Sequence, residues 1–104
     1  MKETMSKVAF AEEVLHYVKE ALPEELAEAQ VRTVSLDLWA DGSRMALLVI
    51  RPWDSTTTGF CLNRWMDKGE TAEAAAAAII NDGRLYCTPQ GDGLNMEGGA
   101  VIYA

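Results

Sequence analysis

The chain has 104 residues, 49% of them hydrophobic, and carries nine Lys and Arg against sixteen Asp and Glu, a formal net charge of -7. That length and apolar content fit one domain, 1–104, with a real core, and exclude both a second domain and a disordered chain. The charge disfavours direct binding to a phosphate backbone or to an anionic membrane surface and favours a protein partner with a basic surface, although acidity of this size also serves ordinary solubility.

In chain order, the first predicted element is an amphipathic helix from about Ser6 to Leu22. Val8, Ala11, Leu15, Val18 and Leu22 form its apolar stripe with Val14 on the flank, and Ser6 stands at the N-cap position. Pro23 interrupts and can open a second short helix to Ala29, with Glu24 and Glu25 in its first turn. Val34, Leu36 and Leu38 alternate with Ser35 and Asp37, the period of a half-buried strand, and Asp41-Gly42 reads as a hairpin turn. Met45 to Ile50 is continuously apolar, as in a central strand covered on both faces, and Arg51-Pro52 end it. A polar loop from Asp54 leads to a third strand over Gly59 to Leu62. A short turn or helical piece follows over Asn63 to Lys68, and Gly69 breaks the chain. Thr71 can cap an alanine-rich helix running to about Asn81, which Asp82-Gly83 stop. In the tail, Leu85-Tyr86-Cys87 and Ala100 to Tyr103 read as two short strands joined by a turn-rich stretch containing Pro89, Gly91, Gly93, Gly98 and Gly99. The expected fold is α+β, a three- to four-stranded antiparallel sheet with two main helices packed on one face.

Phe10-Ala11-Glu12-Glu13-Val14, Leu22-Pro23-Glu24-Glu25, the strand with Leu47 to Arg51, Cys61-Leu62, and Gly69-Glu70-Thr71-Ala72-Glu73 with the helix after it resemble an uncharacterised family of gut-bacterial proteins carrying a domain of unknown function. The resemblance covers roughly residues 10 to 80 and its motifs are structural; residues 53 to 58 and the tail after Gly83 depart from it. It implies no reaction, cofactor or catalytic residue. It does imply a mobile-element setting, whose small acidic proteins include inhibitors of host defence of the anti-CRISPR and anti-restriction type.

The residues themselves offer little chemistry. His16 is the only histidine, so with Cys61 and Cys87 it supplies three metal ligands at most, at spacings that match no zinc finger. A nucleophilic cysteine needs a base or an electropositive niche; Cys61 sits in an apolar strand context and reads as a small buried hydrophobe, while Cys87 precedes Thr88-Pro89 and reads as exposed. Gly91-Asp92-Gly93 lacks the lysine and hydroxyl of a phosphate loop and reads as a turn. No catalytic, cofactor-binding or metal-ligating residue is assigned. No apolar run approaches the ~20 residues of a membrane span and the N-terminus lacks an apolar signal core, so the expected location is the bacterial cytoplasm, with reduced thiols.

Interface chemistry is better represented. Trp39, Trp53 and Trp65 follow or end the three strands, and Trp and Arg most often anchor protein interfaces. Trp53 in its Pro-Trp-Asp loop is the best exposed anchor, with Arg51 beside it and the acidic patch Glu24, Glu25 and Glu28 facing either solvent or a basic groove. The leading expectation is a non-enzymatic, protein-binding module, in its concrete form an inhibitor of a host nucleic-acid-handling defence protein. A homodimerising structural or regulatory domain, paired through edge strands, is the first alternative. An enzyme with an unrecognised carboxylate site is the second.

Overall fold

The computed structural model of the chain describes residues 7–39, 42–89, 93–96 and 100–103. Within these residues the order is helix α1 (Lys7–Ala21), strands β1 (Gln30–Trp39), β2 (Gly42–Arg51) and β3 (Thr56–Cys61), helices α2 (Asn63–Asp67) and α3 (Ala72–Ile80), then strands β4 (Leu94–Met96) and β5 (Ala100–Tyr103). Two 3-10 turns, Glu24–Leu26 and Gly83–Tyr86, join them. The fold is α+β with a five-stranded sheet in the order β1-β2-β3-β5-β4. The Ser6 cap, Asp41 of the predicted turn and Gly91-Asp92 lie outside the described residues.

The sheet differs from the expected three- to four-stranded antiparallel one in two respects, having five strands and one parallel pairing. β1, β2 and β3 form an antiparallel meander, but β5 returns parallel to β3, and β4 pairs antiparallel outside it. The sheet is therefore mixed. Leu85-Tyr86-Cys87 is not a strand: Leu85 and Tyr86 belong to the Gly83–Tyr86 turn, whose first amides are satisfied locally because the Asp82 carboxylate accepts the Arg84 N–H at 2.9 Å. The strand in that part of the tail is Leu94–Met96 instead.

Helices α1 and α3 pack together and cover one face of the sheet. The inward stripe of α1 is Phe10, Ala11, Val14 and Val18, rotated from the predicted one so that Val8 is 56% exposed. Phe10 brings more apolar area to the core than Val8 does, so the helix settles with its aromatic residue inside. In α3 the Thr71 hydroxyl accepts the Ala74 N–H at 3.0 Å, the predicted cap, and Ala72, Ala75, Ala76 and Ile79 form the buried side. Small side chains there let α3 lie close to its neighbours. Facing them are Met45, Leu47 and Val49 of β2, Phe60 of β3, and Val101 and Tyr103 of β5. Between strand and helix, Leu62 donates its N–H to the Met45 carbonyl at 2.8 Å and the buried Asn63 Oδ1 accepts the Met45 N–H at 2.9 Å, which clamps α2 to the start of β2.

Among the described residues no helix covers the other face of the sheet. Side chains alternate along a strand, so Val34, Leu36, Leu48 and Ile50, and with them Ala46, Cys61 and Ile102, point away from α1 and α3. Ala46, Cys61 and Ile102 form a second small apolar cluster, with Leu36, Leu48 and Met96 packed on it. At 44 × 31 × 18 Å the molecule is two layers deep.

Candidate protein-binding surfaces

The connection between β2 and β3 is short, because Arg51 pairs with Thr56 and only Pro52, Trp53, Asp54 and Ser55 lie between them. Its shape is fixed by its own side chains. Asp54 Oδ1 accepts both the Thr56 N–H at 3.1 Å and the Thr56 hydroxyl at 2.6 Å, and Ser55 takes the left-handed conformation at φ 61°. The loop presents Trp53 with 53% of its surface exposed. Of the other tryptophans, Trp65 is buried in the core; the side chain of Trp39 lies outside the described residues.

Arg51 does not join Trp53 at the surface. It is 4% exposed and its guanidinium donates to the Thr58 hydroxyl at 2.8 Å and to the Leu85 carbonyl. The reason is the strand period: Arg51 has the parity of Leu47 and Val49, both inward. Its place in the molecule is to tie the end of β2 to the Gly83–Tyr86 turn beneath the Trp53 loop.

Glu24, Glu25 and Glu28 are exposed, as a contact surface requires, around a turn whose Leu26 is buried and anchors it. β1 starts at Gln30 opposite Ile50, so this acidic connection and the Trp53 loop lie at the same end of the sheet. The Gly83–Tyr86 turn is at that end too. Burial, and then the nearby Glu25 carboxylate, push the pKa of the Tyr86 hydroxyl up, and that hydroxyl donates to the Ile80 carbonyl at 2.5 Å. One end of the molecule thus gathers an exposed indole and three carboxylates around a braced turn.

No known protein family, curated protein or solved structure matches this chain.

Two other surfaces hold reactive groups. A groove beside the tail is lined by Asp82, Arg84, Cys87, Thr88 and Tyr103. Arg84 forms a forked pair with Asp82, Nε to Oδ1 at 3.0 Å and Nη2 to Oδ2 at 2.7 Å, and lies 4.2 Å from the centre of the Tyr103 ring. That fork, working against partial burial, holds the Asp82 carboxyl below its usual range. Cys87 is exposed in this groove, but the only histidine of the chain, His16, lines a different one with Glu12, Glu13 and Tyr17 and meets Glu20 at 3.2 Å. Cys87 therefore has no imidazole base beside it. Cys61 is buried, and burial pushes its thiol up against the smaller opposing pull of Arg44. Among the described residues no group of three or more His, Cys, Asp or Glu side chains is arranged to hold a metal ion, and no helix is long and apolar enough to cross a membrane.

The helix-free face of the sheet is a further surface that no single residue of the sequence announces. Its signal was the unbroken apolar run Met45 to Ile50, which implies cover on both faces. The chain's own helices cover one of them.

Proposed function

We propose that the protein is a non-enzymatic protein-binding module that uses the Trp53 loop as its anchor and Glu24, Glu25 and Glu28 as an acidic flank. The observation carrying this reading is the half-exposed Trp53 on a four-residue loop stiffened by Asp54 and braced from below by Arg51. A rigid aromatic side chain gives contact area at little entropic cost, and such residues dominate interface energies. The carboxylates at the same end, within a chain of net charge -7, favour a partner with a basic surface and speed its encounter. In its specific form the partner is a nucleic-acid-handling defence protein of a bacterial host and the module its inhibitor, in keeping with the mobile-element setting that the family resemblance implies. Arg51 acts as a support for the loop rather than as a contact.

The test is a tagged pull-down from nuclease-treated host lysate, read by mass spectrometry, with wild type and Trp53→Ala side by side. A basic nucleic-acid-handling protein held by wild type and bound more than tenfold more weakly by a folded Trp53→Ala supports the reading. Its association rate falls as salt rises. Equal capture by both chains removes Trp53 from the site, and recovery of the bait alone at low salt sinks the proposal.

A further inference from the structure

We infer that the open groove between α1 and α3 is a docking site for an arginine side chain of a protein partner. Tyr17, Glu20 and Ala21 of α1 form one wall, and Glu73, Ala77 and Ile80 of α3 the other. The groove exists because α3 is built of alanine, whose methyl group is too short to fill the space between two helices. It is accessible: Glu20, Ala21, Glu73 and Ala77 are exposed, and Tyr17 and Ile80 are half-buried. Its volume of about 350 Å³ is at the lower end for a ligand site and suits one long side chain.

Lining and charge together select the occupant. Ala21, Ala77 and Ile80 give an apolar bed for an aliphatic stem. Each helix adds one carboxylate, Glu20 from α1 and Glu73 from α3, and among the described residues no Lys, Arg or His lines the groove. Glu20 Oε2 meets His16 Nε2 at 3.2 Å, a contact along α1 that steadies the carboxylate. α1 ends at Ala21 and α3 at Ile80, so the negative ends of two helix dipoles lie beside the groove. An anion is repelled here, and a wholly apolar side chain would desolvate the carboxylates without pairing them. Arginine suits the groove better than lysine, because its planar fork can answer carboxylates on two walls and its guanidinium stacks on an aromatic ring such as that of Tyr17. The groove also lies within reach of a partner held at the Trp53 end. α1 ends just before the acidic Glu24–Leu26 turn, and α3 leads into the Gly83–Tyr86 turn that Arg51 ties beneath the Trp53 loop. The basic partner proposed for that loop supplies the arginine, and the docking site rests on that reading.

Titrating the full, isotope-labelled chain with acetyl-Ala-Arg-Ala-amide, followed by amide chemical shifts, tests this, with the lysine and citrulline peptides as controls. The expected result is saturable millimolar binding of the arginine peptide, with shifts centred on Tyr17, Ala21 and Ala77 and binding of both controls weaker by about fivefold or more. Glu73→Gln removes charge alone. Ala77→Leu fills the groove at an exposed position with another good helix former and leaves the charge unchanged. Each is expected to weaken binding by a similar factor, and either one that keeps the wild-type circular dichroism is decisive. Shifts spread evenly over Glu12, Glu13, Glu24, Glu25 and Glu28, or undiminished binding in folded Ala77→Leu, overturn the inference, since they report only the general acidity of the surface. So does a titration that never saturates, or a lysine or citrulline peptide bound as tightly as the arginine one. Trp53→Ala is expected to titrate like wild type. A failed titration therefore strikes the groove alone, while recovery of the bait alone in the pull-down strikes the partner reading.

Discussion

Arg51 is a cation inside the protein whose partners are a hydroxyl and a carbonyl, those of Thr58 and Leu85. Replacing it with Met keeps the stem but leaves the Leu85 carbonyl without that donor, and urea unfolding should show a loss of about 1–3 kcal/mol. Lys should not restore this, since one ammonium cannot reproduce the spread of a guanidinium fork. Asp82 offers a pH signature. Its folded carboxyl titrates below the unfolded value because Arg84 grips it, so the pair's contribution is whole above roughly pH 4 and is lost as pH falls through the lower folded value. Asp82→Asn should therefore melt below wild type at neutral pH, with the gap closing in acid. The thiols should separate cleanly. An alkylating reagent is expected to modify Cys87 in the folded chain and Cys61 only after denaturation, which mass spectrometry of the two cysteine peptides reads directly.

At the scale of elements, two glycines differ in what a methyl group would meet. At Gly59 the obstacles are the ends of Ile102 and Leu48, which can swing aside. At Gly93 a Cβ would stand 2.8 Å from the Ile102 carbonyl oxygen, and backbone inside a sheet does not move. Chemical denaturation should accordingly find Gly93→Ala more costly than Gly59→Ala, both within the roughly 1–3 kcal/mol of overpacked sites. Elements with local punctuation were legible in the sequence: Thr71 caps α3 as read, Gly69 breaks the chain at φ 74°, and the Pro23 helix survives as the Glu24–Leu26 turn. Those set by distant contacts were not. Leu85 is apolar because it sits at 0% exposure under the sheet, not because it alternates in a strand, and three-residue β4 is too short to show a period. The inward turn of Arg51 was readable all the same, since Leu47 and Val49 two and four residues earlier already point to the core. Trp53, two residues beyond the strand's end, escapes that alternation, and its exposure followed from the Pro-Trp-Asp loop.

Across the whole molecule, the sequence carried the α+β class and the helix layer on one face, because amphipathic α1 and the alanines of α3 each have one side to bury. It did not carry the parallel β3–β5 pairing, which joins residues 57–60 to 100–103 across two helices, a turn and β4. Val101 and Tyr103 from β5 belong to the main core, and the strand lies between β3 and β4. Deleting residues 100–104 should therefore abolish the cooperative urea transition rather than trim a frayed end, a result that circular dichroism can read. The interior seat of β5 also sets an order of events. On the ribosome the β1–β3 meander emerges as one local unit, whereas the edge of β3 that will receive β5 has no partner until some forty more residues are made. Throughout that interval a nascent chain presents an open strand, available to any neighbouring nascent chain. Slow translation over the Gly-rich stretch before Ala100 would lengthen that exposure, and fast completion or a chaperone held on β3 would shorten it.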